Sequence, residues 1–202
     1  MTPFEARDPE FEAAVRRSFA SLTLMHTLGA SLRRVAPGKV DIDLAFRSEL
    51  TQHHGFLAGP ALTAIADVAC GYAAMTLLPP ETSVVTVEYK VNFLAPGRGE
   101  RMVAKSRVVR PGRTVSVCAA DVYAVAGGQE RLVATMLATI MAVSEDHGQE
   151  RARDAGQRPQ RRASRGHAEE GYAPRAARRW CVCGGRGLGP RLREIVGGRR
   201  SA

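Results

Sequence analysis

Residues 60–78 read PALTAIADVACGYAAMTLL, and this run decides what the chain can fold into. It is apolar almost throughout, and it is longer than the roughly 10 residues that an ordinary strand reaches. Pro60 suits the first turn of a helix, because the amide hydrogen that proline lacks has no helical partner there. The pair Pro79-Pro80 ends the pattern, since proline cannot continue a helix. We therefore predict a buried helix over residues 60–78.

The segments on either side of this helix have the patterns of strands. A hairpin is predicted before it, because the alternating runs 30–35 and 40–46 flank the turn residues Pro37-Gly38. Turn-forming sequences separate four further predicted strands, over residues 84–94, 101–110, 114–125 and 131–143. Helical spacing of apolar residues predicts another helix over residues 9–23. Together these elements predict an α+β fold in which a curved antiparallel sheet wraps around a long central helix.

The first strand after the helix, residues 84–94, has the clearest alternation in the chain. Polar residues separate its apolar positions, which are Val85, Val87, Tyr89, Val91 and Phe93. Such a period of two is typical of an antiparallel strand with one face in the core and one face in water. We therefore predict that these five side chains share the buried face of the sheet.

The basic charge of the chain is concentrated at one end. The 202 residues include 29 Lys or Arg and 20 Asp or Glu, a net charge of +9. Residues 1–145 hold 15 basic and 14 acidic residues, whereas residues 146–202 hold 14 basic and 6 acidic residues. The hydrophobic periodicity also stops there, which predicts a domain over 1–145 and a disordered tail rich in Arg, Gly, Ala and Pro over 146–202. We favour a solvated extension over the alternative, an arm that binds nucleic acid.

Several classes of protein are disfavoured by composition. No apolar run approaches the roughly 20 residues that span a bilayer, and the N-terminal segment is charged, so we expect a cytoplasmic protein without a membrane contact. The four cysteines form no C-x-x-C pair, which argues against a disulfide framework or a zinc site. No glycine-rich nucleotide loop is present, which argues against the use of ATP or NAD. We expect neither a metal nor a redox cofactor.

Asp67 is the first candidate for chemistry, because no other residue in 60–78 is charged at neutral pH. Burying an ionised carboxylate costs free energy unless the group is paired or hydrogen-bonded. Asp67 therefore either has a chemical task in a buried site or lies on an exposed polar stripe with Thr63 and Cys70.

Gly59 is the second candidate, because it directly precedes Pro60 at the predicted helix start. The first amides of a helix point outward and carry a partial positive charge, so the Gly59 N–H is able to polarise a carbonyl oxygen. The alternative is that Gly59-Pro60 only turns the chain into the helix.

Two stretches carry a resemblance to a known family: QHHGFLAGPALTAIADVACGYAAMTLLP over residues 52–79 and TVEYKVNFLAPG over residues 86–97. They resemble the PaaI-type acyl-CoA thioesterases of the hotdog fold, and the order of elements matches over residues 18–143. The resemblance implies hydrolysis of an acyl-CoA in a site shared between the subunits of a homodimer or homotetramer.

The resemblance also implies roles for four residues that keep the family's spacing. Asp67 is implied as the general base or nucleophile, and the Gly59 N–H as the group that polarises the thioester carbonyl. Gln52 is expected to orient the substrate or water, and Thr86 to help place the water. The chain departs from the family at two positions, since Ala58 stands in place of a histidine and Pro60 in place of a second glycine.

Two further expectations concern the substrate. Arginine forks match phosphate oxygens, so Arg98, Arg110 and Arg113 are candidates for contact with CoA, and His54 is a candidate substrate-binding residue in the preceding loop. Because Ala58 replaces the family's histidine, a non-catalytic acyl-CoA or acyl-ligand binding protein remains the alternative function.

The spacing of the two main candidates predicts how the site is built. At about 1.5 Å of rise per residue, Gly59 and Asp67 are ~12 Å apart along one helix, too far to serve one carbonyl. If both act, Gly59 of one chain faces Asp67 of another, and a symmetric dimer then contains two equal sites.

Overall fold

The structure is a computed structural model that describes residues 4–144, so the predicted basic tail over 146–202 lies outside the described residues. The described chain forms three α-helices, one short 3₁₀ turn and six strands. In chain order they are α1 Phe11–Ser21, α2 Thr23–Leu28, β1 Ala30–Ala36, β2 Lys39–Ala45, the turn Ser48–Leu50, α3 Gly59–Met75, β3 Thr82–Phe93, β4 Arg101–Arg110, β5 Val115–Ala126 and β6 Gln129–Ser144.

The strands form one antiparallel sheet in the order β1-β2-β4-β5-β6-β3. The central helix α3 packs against one face of this sheet, and Ile65, Ala66 and Ala69 on its buried side are 0% exposed. The predicted α+β architecture, a sheet around a long central helix, is confirmed. Among the described residues, β3 pairs with β6 alone and leaves its other edge without a strand.

The central helix is shorter than predicted at its C-terminal end. It begins at Gly59 and ends at Met75, three residues before the end of the predicted range 60–78. The buried Thr76 hydroxyl accepts a 2.7 Å hydrogen bond from the Gly38 N–H, which ties the end of α3 to the β1–β2 turn. This long-range bond fixes the end of α3, and the local apolar pattern did not predict it.

The predicted helix over 9–23 is wrong at its C-terminal end. Leu22 is extended, with φ −82° and ψ 95°, and it separates α1 from the short helix α2. Helix α2 then ends at Gly29, whose φ of 72° lies in the left-handed region that glycine adopts readily.

Strand β3 contains a β-bulge that the alternating pattern did not predict. Its pairing with β6 shifts between Thr86 and Glu88, which leaves Val87 as the extra residue. A one-residue shift reverses the faces of all later side chains. Thr86 and Tyr89 therefore both face α3, whereas Val85 lies on the opposite face and is 44% exposed. The prediction of one continuous buried face is wrong: Val85, Val87, Tyr89 and Phe93 are 44%, 57%, 46% and 53% exposed, because β3 lies at the edge of the sheet and contains the bulge.

Candidate active site

Asp67 lies on the side of α3 that faces β3 and is half-buried. Its carboxylate oxygen Oδ1 accepts a 2.7 Å hydrogen bond from the Thr86 hydroxyl, which holds the group in one orientation. No other hydrogen bond or ion pair to Asp67 forms among residues 4–144, so the oxygen Oδ2 remains available. Cys70 is 0% exposed and does not belong to the polar stripe, whereas Thr63 and Asp67 are both partly exposed and line the same cavity.

Two cavities meet at Asp67. The first, which we call the inner pocket, has a volume of about 250 Å³ and lies between α1, the C-terminal half of α3 and the first half of β3. Its walls are Ser18, Leu22, Asp67, Val68, Gly71, Tyr72, Met75, Ser83, Val84 and Thr86.

The second cavity, the outer groove, has a volume of about 460 Å³ and lies between the N-terminal half of α3 and the second half of β3. Its walls are Leu24, Pro60, Thr63, Ala64, Asp67, Tyr89, Val91 and Phe93. Both Tyr89 and Phe93 are about half exposed, at 46% and 53%, so apolar surface faces solvent along the free edge of β3.

The N-terminus of α3 has no side-chain cap. Ala58 precedes it in extended geometry, with φ −65° and ψ 142°, and contributes no side-chain cap. Within the described range 4–144, the Gly59 N–H therefore has neither a helical partner nor a capping oxygen. A Cβ atom at Gly59 would lie 2.9 Å from Cζ of Phe93, so the absence of a side chain lets the ring approach the helix start. In one chain this amide is ~12 Å from Asp67 along the helix axis, which keeps the two groups apart.

Gln52 does not reach Asp67 within the chain. Its side-chain oxygen accepts a 2.8 Å hydrogen bond from the backbone N–H of His54. The backbone N–H of Gln52 donates a 3.0 Å hydrogen bond to the Phe56 carbonyl. Gln52 is thus part of the turn before α3, and neither cavity is lined by it. The expected role in orienting substrate or water remains a prediction.

The four candidate substrate-binding residues fall into two pairs. His54 stacks on Phe56 with ring centroids 6.1 Å apart, and the Arg98 guanidinium lies 5.5 Å from the centroid of the same ring. This pair is close to the N-terminus of α3. Arg110 and Arg113 flank the β4–β5 turn, where Arg113 shares a surface cavity with residues just beyond the C-terminus of α3.

The inner pocket contains a pair of hydroxyl groups that sequence reasoning missed. The Ser18 and Tyr72 hydroxyls are 3.1 Å apart and join α1 to α3. Burial raises the pKa of Tyr72 more than the Ser18 bond lowers it, so the phenol stays neutral at physiological pH. Tyr72 is recognisable in sequence as the one aromatic residue of 60–78, but its partner lies 54 positions away.

Neither of the two cysteines among residues 4–144 is suited to act in this site. Cys70 and Cys118 are free thiols buried in the core, and burial raises the pKa of each well above its ordinary value. Protonated, buried thiols are poor nucleophiles.

Across residues 4–144, no group of three or more His, Cys, Asp or Glu side chains has the arrangement of a metal site. None of the helices in the same range has the length and apolar character to cross a membrane.

Comparison with known proteins identifies the family of this chain. The family model of the thioesterase superfamily matches residues 54–130, which include Gly59, Asp67 and Thr86. The crystal structure of a thioesterase family protein from Silicibacter pomeroyi is 46% identical, covers 66% of this chain and 98% of its own, and superposes with a TM-score of 0.65.

Two more distant proteins extend the comparison. A predicted esterase from Halobacterium salinarum is 32% identical over 123 residues, which are 58% of this chain and 79% of that protein. The Escherichia coli PaaI protein from the phenylacetic acid degradation operon is 17% identical, and the match covers 67% of this chain and 94% of that one. Its TM-score of 0.61 shows a shared fold. This chain therefore belongs to the thioesterase superfamily, has the hotdog fold of the PaaI-type proteins, and has a function of the thioesterase type.

Proposed function

We propose that this protein hydrolyses an acyl-CoA thioester to the free acid and CoA, with Asp67 as the general base. The observation that supports this role is the 2.7 Å hydrogen bond from Thr86 to Asp67, at the point where the two cavities meet. One carboxylate oxygen is anchored by this bond, while the other is free to accept a proton from water. Thr86 thus positions the base as well as the water near it.

The reaction balances with water as the only co-reactant. Asp67 takes a proton from the water while the water oxygen attacks the thioester carbonyl carbon, and the carbonyl electron pair moves to the carbonyl oxygen. When the carbonyl re-forms, the C–S bond breaks and the CoA sulfur leaves with that electron pair. The proton held by Asp67 then passes to the sulfur, which regenerates the carboxylate. No metal or redox cofactor takes part in this scheme.

The oxyanion of this reaction needs a donor that the same chain does not supply. Gly59 and Asp67 are ~12 Å apart on one helix, so the Gly59 N–H of a second copy stabilises the oxyanion. The free edge of β3, with the half-exposed Tyr89 and Phe93, is the surface on which that copy would pack. The active protein is then at least a homodimer with two equivalent sites.

The residues proposed to contact CoA lie near the two ends of α3. His54 and Arg98 lie at the end where the outer groove opens, so they are placed to meet the phosphates of a CoA that leaves through this groove. Arg110 and Arg113 are near the opposite end of α3, roughly 25 Å away at 1.5 Å per residue. They act on the same CoA only if they come from the second subunit.

The alternative is a hotdog protein that binds an acyl-CoA or acyl ligand without hydrolysing it. One observation favours it: Ala58 stands at the start of α3 and offers no polar group to hold a thioester.

Purified protein tested with a panel of short, long and aryl acyl-CoAs separates these two functions. CoA release is followed with a thiol reagent, and binding is measured by titration calorimetry under the same conditions. Turnover that depends on Asp67 is expected, whereas tight binding without CoA release would establish the alternative.

A further inference from the structure

The inner pocket has more polar walls than the outer groove. Besides Asp67, four of its ten lining residues have hydroxyl groups: Ser18, Tyr72, Ser83 and Thr86. The walls of the outer groove are mostly apolar, and among them only Thr63 and Tyr89 have hydroxyls. A hydroxyl group both donates and accepts hydrogen bonds, so the inner pocket suits water better than the groove does.

The hydroxyl groups of the inner pocket keep hydrogen-bonding capacity for water. Thr86 gives its O–H to Asp67, so its oxygen is left as an acceptor. Ser18 and Tyr72 share one hydrogen bond of 3.1 Å, which uses the O–H of one residue and leaves the O–H of the other for water. Across residues 4–144, the Ser83 hydroxyl has no hydrogen-bond partner in the protein. Waters in the pocket would therefore find the roughly two to four polar partners that an ordered water needs.

The inner pocket also has the room and the opening through which water can reach Asp67. Its volume of about 250 Å³ accommodates about eight waters, if each occupies the ~30 Å³ that it has in the liquid. The pocket is open to solvent rather than enclosed, and Ser18 and Ser83 in its walls are both partly exposed. Water therefore enters without displacing any part of the fold.

The outer groove is a poorer route for water in the proposed reaction. The thioester carbonyl then lies between Asp67 and the Gly59 N–H of a second copy, which packs along the free edge of β3. That copy covers the half-exposed Tyr89 and Phe93 in the wall of the groove. The nucleophile must approach from another side, and Asp67 faces the inner pocket as well as the groove.

On the basis of the proposed function, we propose that the inner pocket delivers the water that hydrolysis consumes, and that Ser18, Tyr72 and Ser83 are positioning residues for this water. Waters bound to these hydroxyls connect solvent to Asp67, which takes a proton from the nearest one. The pocket is thus a binding site for small polar nucleophiles, and a small alcohol fits it as well.

Methanol is a probe for this route, because it differs from water by one methyl group. Its oxygen attacks the thioester carbonyl carbon while Asp67 takes its proton, the C–S bond breaks, and that proton passes to the CoA sulfur. The products are a methyl ester and CoA, whereas water gives the free acid and CoA. The ratio of ester to acid formed in dilute aqueous methanol compares the access of the two nucleophiles to Asp67. This ratio does not depend on how tightly the acyl-CoA binds.

One pair of variants narrows each cavity with the same side chain on the same helix. Gly71→Val introduces an isopropyl group into the inner pocket, one helical turn after Asp67. A Cβ atom there would lie 3.7 Å from Cγ2 of Val84, an ordinary contact, so the first added atom fits without a clash. Ala64→Val, the matched control, enlarges the wall of the outer groove instead.

A second pair of variants removes a hydroxyl group with little change of volume. Tyr72→Phe takes one from the inner pocket, and Tyr123→Phe, its control, takes one from β5 outside both cavities. For all four variants, kcat, KM and the ester-to-acid ratio are measured with the best acyl-CoA substrate, and the melting temperature checks folding.

We expect Gly71→Val to lower kcat about 10- to 100-fold at unchanged KM, because a misplaced nucleophile loses about that much. Its ester-to-acid ratio should also fall about tenfold, since methanol is the larger nucleophile. Ala64→Val should raise KM and leave the ratio unchanged. Tyr72→Phe should lower kcat about two- to tenfold at unchanged KM, the effect of one hydrogen bond, whereas Tyr123→Phe should not.

Three results would overturn the inference and leave the proposed hydrolysis intact. The first is a rise in KM without a fall in kcat in Gly71→Val, or an ester-to-acid ratio that changes in Ala64→Val instead. The second is equal kcat in Tyr72→Phe and Tyr123→Phe, which decides the matter if Gly71→Val does not fold. The third is absence of ester from wild-type protein, since a pocket of about 250 Å³ admits methanol. Failure of wild-type protein to release CoA in water would instead refute the proposed function, and the inference with it.

Discussion

The inner pocket and the outer groove share Asp67, but they are lined by different halves of β3. The inner pocket lies between α1, α3 and the first half of β3, and a hydrogen bond between Ser18 and Tyr72 joins the two helices. The outer groove instead presents the half-exposed Tyr89 and Phe93 to solvent, beside an edge of β3 that has no partner strand among residues 4–144. The outer groove is therefore the surface that a second copy would cover in the proposed shared site.

The β-bulge at Val87 lies between these two regions of β3. Before the bulge, Val84 and Thr86 face the inner pocket, and after it Tyr89 and Val91 line the outer groove. Without the extra residue, the side chains of one of these pairs would point away from α3. The bulge is thus what lets one strand serve both cavities.

The largest effect is expected from Asp67→Asn, which removes the proposed general base at the junction of the two cavities. The substitution keeps the shape of the side chain but not its basicity, so kcat should fall by about 10² to 10⁴. CoA release from the best substrate measures the change. Asp43→Asn, on the opposite face of the sheet, is the control. Near wild-type turnover by folded Asp67→Asn would reduce Asp67 to a structural residue.

Gly59→Pro tests the outer side of the comparison by removing the proposed amide donor. Loss of one oxyanion-hole donor lowers kcat by about 10² to 10³. The extended Ala58 already has the backbone geometry required before proline, but the Cβ atom of the new residue would lie 2.9 Å from the Phe93 ring, which must move. Gly59→Ala is the matched control, because it adds a Cβ atom beside Phe93 but keeps the N–H. Equal losses in the two variants would mean that crowding, not the donor, is responsible.

Mixing the two inactive variants tests whether the site is shared. A heterodimer of Asp67→Asn and Gly59→Pro has one site with both lesions and one with neither. After re-association, each heterodimer should recover about half of wild-type activity, with heterodimer formation measured by native mass spectrometry. If heterodimers form and remain inactive, each chain contains its own complete site.

A smaller loss is expected from Thr86→Val, which removes the hydrogen bond that orients Asp67 but preserves the shape of the side chain. Hydrogen bonds to charged groups contribute about 1.5–3 kcal/mol, so kcat should fall at least about tenfold, with little change in KM. Thr139→Val is a close control, because Thr139 donates a 2.9 Å hydrogen bond to the Glu88 carboxylate away from both cavities. Equal effects in both variants would point to general destabilisation of the sheet.

The smallest effect is expected from deletion of residues 146–202. Strand β6 ends at Ser144, and every residue that lines either cavity precedes position 94. Melting temperature and acyl-CoA turnover should therefore be unchanged. A large drop in either quantity would show that the basic segment supports the domain. Salt-sensitive nucleic-acid binding that disappears on truncation would instead assign the segment a separate function.

Much of the fold was predictable because its signals are local. The central helix, the hairpin and the four later strands each follow from the periodicity of neighbouring residues. The end of α3 was not predictable in this way, because Thr76 bonds to Gly38, which is 38 positions away. The bulge at Val87 depends on how β3 pairs with β6, and the sequence of β3 alone does not determine that register.

The candidate site also has features that the sequence determined and features that it did not. The sequence by itself determined that an acid stands eight residues after a glycine in an apolar helix, and hence that these two groups are about 12 Å apart. That distance follows from helix geometry alone. Only the tertiary structure decided that Thr86 meets Asp67, that Ser18 meets Tyr72, and that the Gln52 oxygen binds the His54 amide. The physical reason is that the first contact depends on strand register, the second on how two helices pack, and the third on how one loop closes. The distance between two residues of one helix depends on none of these.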